Sequence, residues 1–218
     1  MSNIIKRILV GFLVSAWAFA AHAADPDAAL SRMRELLAQR QAKELIVEFG
    51  PVDFSAWPAG EMKKTVDALE LRGRAYFIVK EGRRAEADLK QALGIDPKNI
   101  VVWLTRGENY LRNLEDEAQA LTCFEEVTRI TGASHGWQNL TAALFRAQIL
   151  TDQVRADEAL AELKRLDDPS NLPATWRIKV LRAYGHAYAS QGNDSEALAQ
   201  FREALRVESE TKRAAAKP

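Results

Sequence analysis

Residues 69–124 read LELRGRAYFIVKEGRRAEADLKQALGIDPKNIVVWLTRGENYLRNLEDEAQALTCF, and the passage states one pattern twice. Leu69, Arg72, Gly73 and Tyr76 return thirty-four residues later as Trp103, Arg106, Gly107 and Tyr110. In the first copy Ala85 and Leu89 follow at helical spacing; in the second, Ala120, Phe124 and Val127 follow one residue late. This pattern describes two helices packed side by side. The minimal side chains at Gly73 and Ala85 let the backbones approach, while Tyr76 and Leu89 fill the flanks. The slip in the second copy places an extra residue in the turn from Asn113 to Glu117.

Downstream, Arg146-Ala147, Leu150, Ala159, Leu163 and Leu166 carry an eroded third copy. Its first helix is expected to start near Gly136 or Trp137. Leu181, Gly185, Tyr188, Ala197, Phe201 and Ala204 carry a clean fourth copy with its turn at residues 191–194. In the final helix Ala199, Gln200, Arg202, Glu203 and Arg206 form a polar face opposite Leu198, Phe201 and Leu205, as a solenoid end requires. Upstream, Asp25 and Asp27 can cap a helix carrying Leu30, Met33, Leu36 and Leu37. A second short helix with Ala42, Leu45, Ile46 and Phe49 stops at Gly50-Pro51. The loop after it, with Phe54 and Trp57, is expected to pack onto a neighbouring helix. In the first copy a turn is expected around Gly82, and Pro97 closes the unit because it lacks a backbone donor.

These motifs resemble the tetratricopeptide repeat over Val66 to about Val207. The departures are arginine for leucine before the glycine in the first two units, and loss of the closing proline in all but the first. The resemblance implies an all-α fold, a right-handed superhelical solenoid of antiparallel helix pairs. The expected segments are a signal peptide at 1–23, a degenerate hairpin and loop at 24–60, repeats over 61–209 (about 65–98, 99–132, 137–171 and 173–209) and a tail at 210–218. It also implies a concave groove, lined by the first helix of each pair, that binds proteins or peptides.

The N-terminus is a different kind of text. Lys6 and Arg7 precede an apolar run from Ile8 to Ala21 and the small-x-small site Ala21-His22-Ala23, the pattern of a secretory signal peptide. The run is short of the roughly 20 residues that span a bilayer, so no integral membrane segment is expected after cleavage. Its removal leaves 28 basic against 30 acidic residues, with no basic field to gather nucleic acid. One cysteine, Cys123, closes no intramolecular disulfide and reads as a buried small hydrophobe.

A catalytic site or a metal is not expected, nor any cofactor. His135 and His186 lie far apart in sequence, with His135 near a helix start. Glu115-Asp116-Glu117 and Asp167-Asp168 read as a helix first turn and a loop, and no glycine-rich phosphate loop occurs. Asn139-Leu140-Thr141 and Asn193-Asp194-Ser195 match the short glycosylation pattern, which arises often by chance.

The groove carries the functional expectation. Its candidate peptide-binding residues are Arg74, Phe77, Glu108, Leu111, Arg112, Gln148, Arg182 and His186, alongside Glu70, Leu104, Leu144 and Ala189. Apolar residues mixed with arginines suit an amphipathic helix or extended peptide carrying acidic side chains. The lead expectation is thus an exported, periplasmic or secreted, non-catalytic scaffold with a protein or peptide partner. One alternative is a structural subunit of an envelope secretion or pilus assembly, touching its neighbours through Phe54 and Trp57. Another is a carbohydrate or small-ligand binder stacking sugars on Trp57, Trp137 or Trp176.

Overall fold

The computed structural model describes residues 25–132, 136–166 and 168–215, and every regular element among them is helical. The expected signal segment, His135 and Asp167 lie outside the described residues. Among the described residues ten α-helices follow one another: α1 Pro26–Ala38, α2 Ala42–Phe49, α3 Met62–Ile78, α4 Gly82–Ile95, α5 Ile100–Asn109, α6 Glu117–Thr131, α7 Trp137–Asp152, α8 Ala156–Lys164, α9 Ala174–Ser190 and α10 Asp194–Ala215. Asp25 caps α1 by accepting from the Asp27 and Ala28 N–H groups, and Asn99 caps α5 by accepting from Val102. None of the described helices is long and apolar enough to cross a membrane.

One backbone device recurs. The turn after each odd-numbered helix holds a single left-handed residue: Arg40 (φ 61°), Lys80 (64°), Glu115 (54°), Val154 (60°) and Gly192 (80°). In four of these turns the next N–H reaches back over the helix end, from Gln41 to Leu36, Glu81 to Tyr76, Arg155 to Leu150 and Asn193 to Tyr188. That satisfies carbonyls a helix terminus otherwise leaves open. In the first clear repeat the turning residue is therefore Lys80, and Gly82 opens α4 instead of forming the turn. Packing explains the glycine: a Cβ there would lie 2.9 Å from the Asn113 Cβ and 3.0 Å from Leu114 Cδ2.

The extra residue of the second copy also sits elsewhere than expected. Tyr110–Leu114 form a π-type turn continuing α5, which absorbs it inside the helix before the left-handed Glu115. Asn109 and Asn113 pin this turn by donating to the Gly82 carbonyl at 2.8 Å and the Phe77 carbonyl at 3.0 Å.

The chain forms two compact units that divide between Asp116 and Glu117. In the N-terminal unit α1 and α2 pack on α3, α3 pairs with α4, and α4 packs on α5. Phe49, Phe54, Met33, Leu45, Leu69 and Leu89 are fully buried there, each worth about 1.5–3 kcal/mol relative to exposure. The loop after α2 packs down as expected, with the Phe54 and Trp57 rings 4.9 Å apart and both buried. Their burial removes them as an envelope-assembly contact and removes Trp57 as a sugar platform.

The arginine that departs from the repeat pattern is explained here. Arg72 is buried and holds Asp88 through two 2.8 Å bonds. Its remaining nitrogen donates to the Phe49 carbonyl at 3.0 Å and the Val52 carbonyl at 2.6 Å, tying the end of α2 to the α3–α4 pair.

In the C-terminal unit α6 packs on α7, α7 pairs with α8, both pack on α9, and α9 pairs with α10. Phe124 and Phe145 stack at 4.9 Å, and Cys123 is buried beside them. At Gly185 α9 packs tightly on α10: an added Cβ would lie 2.5 Å from the Phe201 ring. The final helix departs from expectation, because Leu198 and Leu205 are exposed and its outer face is not wholly polar.

Candidate functional site

Helices α7 and α9 run through the C-terminal unit with one face each turned to a shared pocket of about 580 Å³. From α7 come Thr141, Leu144, Phe145, Gln148 and Asp152; from α9 come Trp176, Lys179, Arg182, Ala183 and His186. Intervals of three and four place each set along one side of its helix. The volume falls within the range of ordinary ligand pockets.

The Thr141 and Thr151 hydroxyls donate to carbonyls of their own helix, both at 2.7 Å, and the ring of Phe145 is held against Phe124. The ends of Gln148, Lys179, Arg182, His186 and Asp152 therefore set the polar character. Lys179 Nζ lies 4.3 Å over the Trp176 ring, a cation–π contact that holds an ammonium at the rim. Arg182 donates to Glu208 at 2.8 Å. Glu208 also accepts from Lys212 at 2.9 Å, and that bond, with Arg182 adding, holds its carboxyl below the ordinary range. His186 meets Phe201 edge-on at 5.1 Å, which fixes the ring between the helix crossing and the pocket.

Three of the eight sequence candidates, Gln148, Arg182 and His186, are thus brought together at one pocket. The other five belong to the N-terminal unit. Arg74 on α3 and Arg112 in the π-type turn are exposed; Phe77, Glu108 and Leu111 are half-buried, and Phe77 packs against the core. Glu108 lies 4.0 Å from Arg112. Burial pushes the Glu108 carboxyl above the ordinary value, against the pull of Arg112 and Arg74. The same happens to Glu70, where burial outweighs Arg74 and a 3.4 Å bond from Thr105.

Sequence reasoning missed Lys179, Phe145, Asp152 and both threonines, and it read Trp176 only as a sugar platform. The signal was available in the run Trp176, Lys179, Arg182/Ala183, His186, which keeps one helical face. Trp137 is exposed at the start of α7, and Lys179 covers the Trp176 ring. Among the described residues no group of three or more His, Cys, Asp or Glu side chains could hold a metal ion.

Residues 179–211, most of α9 and α10, match the tetratricopeptide repeat. No curated protein matches the sequence significantly. Solved structures of MamA are similar over most of the chain. That from MSR-1 has a TM-score of 0.63 at 21% identity, covering 88% of this chain and 97% of MamA. That from AMB-1 gives 0.62 at 21%, covering 84% and 96%. A third MamA structure gives 0.64 at 15%, covering 91% and 97%. At these identities the likeness is one of fold, and the chain has the all-α, tetratricopeptide-like helical-repeat architecture.

Proposed function

We propose that this chain is an exported, non-catalytic scaffold whose α7–α9 pocket holds a protein or peptide partner. The observation that carries the reading is the convergence of Gln148, Arg182 and His186 with Lys179 and Trp176 over the apolar floor of Leu144, Phe145 and Ala183. Such a floor takes apolar side chains, and cations at the rim favour carboxylates beside them. Arg74, Phe77, Glu108, Leu111 and Arg112 give the N-terminal unit its own mixed polar and apolar surface for the same kind of partner. The helical-repeat fold supports a binding role, and the N-terminal sequence pattern supports export.

The test places a photo-crosslinking residue at Gln148, with Ala161 on α8 as the control, in cells producing the chain. Both positions are exposed, but only Gln148 lines the pocket. Discrete adducts are expected from Gln148 alone. Lys179→Glu should weaken capture about tenfold or more with an unchanged melting temperature, as the loss of a charge-assisted contact implies. Equal adducts from both positions would remove the pocket from the proposal. N-terminal sequencing checks export separately, with the mature chain expected to start at Ala24 and an intact Met1 in the cytoplasm counting against it.

A further inference from the structure

Repeat register gives matching positions the same surroundings. Ala85 of α4, Ala159 of α8 and Ala197 of α10 are equivalent buried alanines. One residue past Ala159, Leu160 is 4% exposed and clusters with Ala183, Tyr184, Ala187 and Tyr188 of α9. Eight residues past Ala85, Leu93 is 8% exposed and shares a cluster with Val102 and Trp103 of α5. In both cases the following helix packs on the helix that carries the leucine. On α10 the same two positions are Leu198 and Leu205, which are 48% and 61% exposed.

Leu198, Arg202, Leu205 and Ser209 follow one another at intervals of four, three and four, so they lie along one face of α10. Arg202, between the leucines, is exposed and makes no ion pair among the described residues. Arg213 extends the basic character toward the end of the helix. The register says that the seat fits a helix, and the arginines say which kind. An antiparallel pairing of two α10 helices from two copies of this chain would set Arg202 against Arg202, a like-charge contact at the centre of the interface.

We propose that the outer face of α10 is a second docking surface, which takes an amphipathic helix of another protein carrying acidic side chains beside its apolar stripe. The seat is separate from the α7–α9 pocket and does not depend on it. A chain that uses both holds two partners at once.

The probe is a pair of fluorescent synthetic helical peptides of about 18 residues, above the length at which isolated helices are marginal. Both carry leucines at intervals of four and three; one has glutamates on its flanks, the other lysines. Fluorescence anisotropy with the full chain should show the glutamate peptide binding about tenfold or more tightly than the lysine peptide. Leu205→Asp and Leu198→Asp should each abolish that binding. Arg202→Glu should remove the preference for glutamate, and Lys179→Glu should leave binding intact. Both leucines are exposed, so these variants should melt like the parent.

The proposal is overturned if neither peptide binds, if both bind equally, or if binding survives Leu205→Asp. It is equally overturned if sedimentation shows a dimer that Leu205→Asp converts to monomer, or if phosphatidylglycerol vesicles bind the parent and not Leu205→Asp.

Discussion

Arg72 in the N-terminal unit and Arg146 in the C-terminal unit hold the same place in their repeats, just before the small residue at Gly73 or Ala147. Each reaches an acid sixteen residues on, Asp88 or Glu162. The outcomes differ. Arg72 spends both sides of its guanidinium, on Asp88 and on backbone carbonyls, and lies 4.6 Å over the Phe54 ring. Arg146 makes one 3.1 Å bond to a carboxylate that Arg165 shares at 2.8 Å, and its Nε is buried without a partner. One repeat position has thus become a clamp in the first unit and a looser pair in the second. The C-terminal unit is joined instead by ring packing, at Phe124–Phe145 and at Gly185–Phe201.

The contrast is most directly broken by truncation. Arg72→Ala strands the buried Asp88 carboxylate and should cost about 3–5 kcal/mol, whereas Arg146→Ala should cost about 1–3 kcal/mol. Urea unfolding of each variant measures both, and equal losses would erase the distinction between clamp and pair.

The next largest effect probes packing. Gly185→Ala drives a methyl into the Phe201 ring and should cost about 1–3 kcal/mol. Gly73→Ala meets the Leu89 side chain less closely, with Cγ at 3.0 Å and Cδ2 at 3.1 Å. A gain of up to about 1 kcal/mol in helix propensity should leave that variant near neutral. Thermal melts rank the two, and the reverse order would show that the ring contact yields more easily than the leucine.

A smaller effect should come from Val154, a β-branched residue holding the left-handed turn position that Gly192 fills later in the same unit. Val154→Gly should stabilise by about 1 kcal/mol, because the left-handed conformation costs an L-residue about that much or more. A melt that does not rise would place the strain elsewhere.

The smallest effect is electrostatic. The raised carboxyls of Glu70 and Glu108 belong to the N-terminal unit, whereas Glu203 and Glu208 of the C-terminal unit are lowered, mainly by Arg206 and Lys212. A raised acid binds more protons folded than unfolded. Its contribution is therefore greatest below the ordinary value of 4.5 and declines as pH rises through the raised one. Relative to the parent, Glu70→Gln should lose less stability, read as melting temperature, as pH rises above 4.5. An identical slope in both proteins would show that burial of Glu70 carries no cost.

Much of the fold was legible because glycine and alanine at a fixed offset mark helix crossings. Gly73 was expected opposite Ala85, and a Cβ there would meet the Ala85 carbonyl at 3.5 Å and the Leu89 side chain at 3.0 Å; Gly185 meets Phe201. The turns were less legible. Arg40, Lys80, Glu115 and Val154 adopt a conformation that local sequence disfavours, and the closing hydrogen bonds of the helix ends impose it. Three candidate site residues gathered at a pocket because a helical face can be counted from spacing. Lys179 and Trp176 were passed over as pocket residues because their roles depend on which side of α9 faces α7.

Within each unit the amino-acid order by itself determined the helix pairs α3–α4, α7–α8 and α9–α10 and the small residues at their crossings, since these follow from local periodicity and side-chain volume. Tertiary structure alone decided that Arg72 is a clamp, that Trp57 is buried and that two leucines of α10 stay open to solvent. Burial and ion pairing depend on which distant segments meet, and no spacing within one helix encodes that.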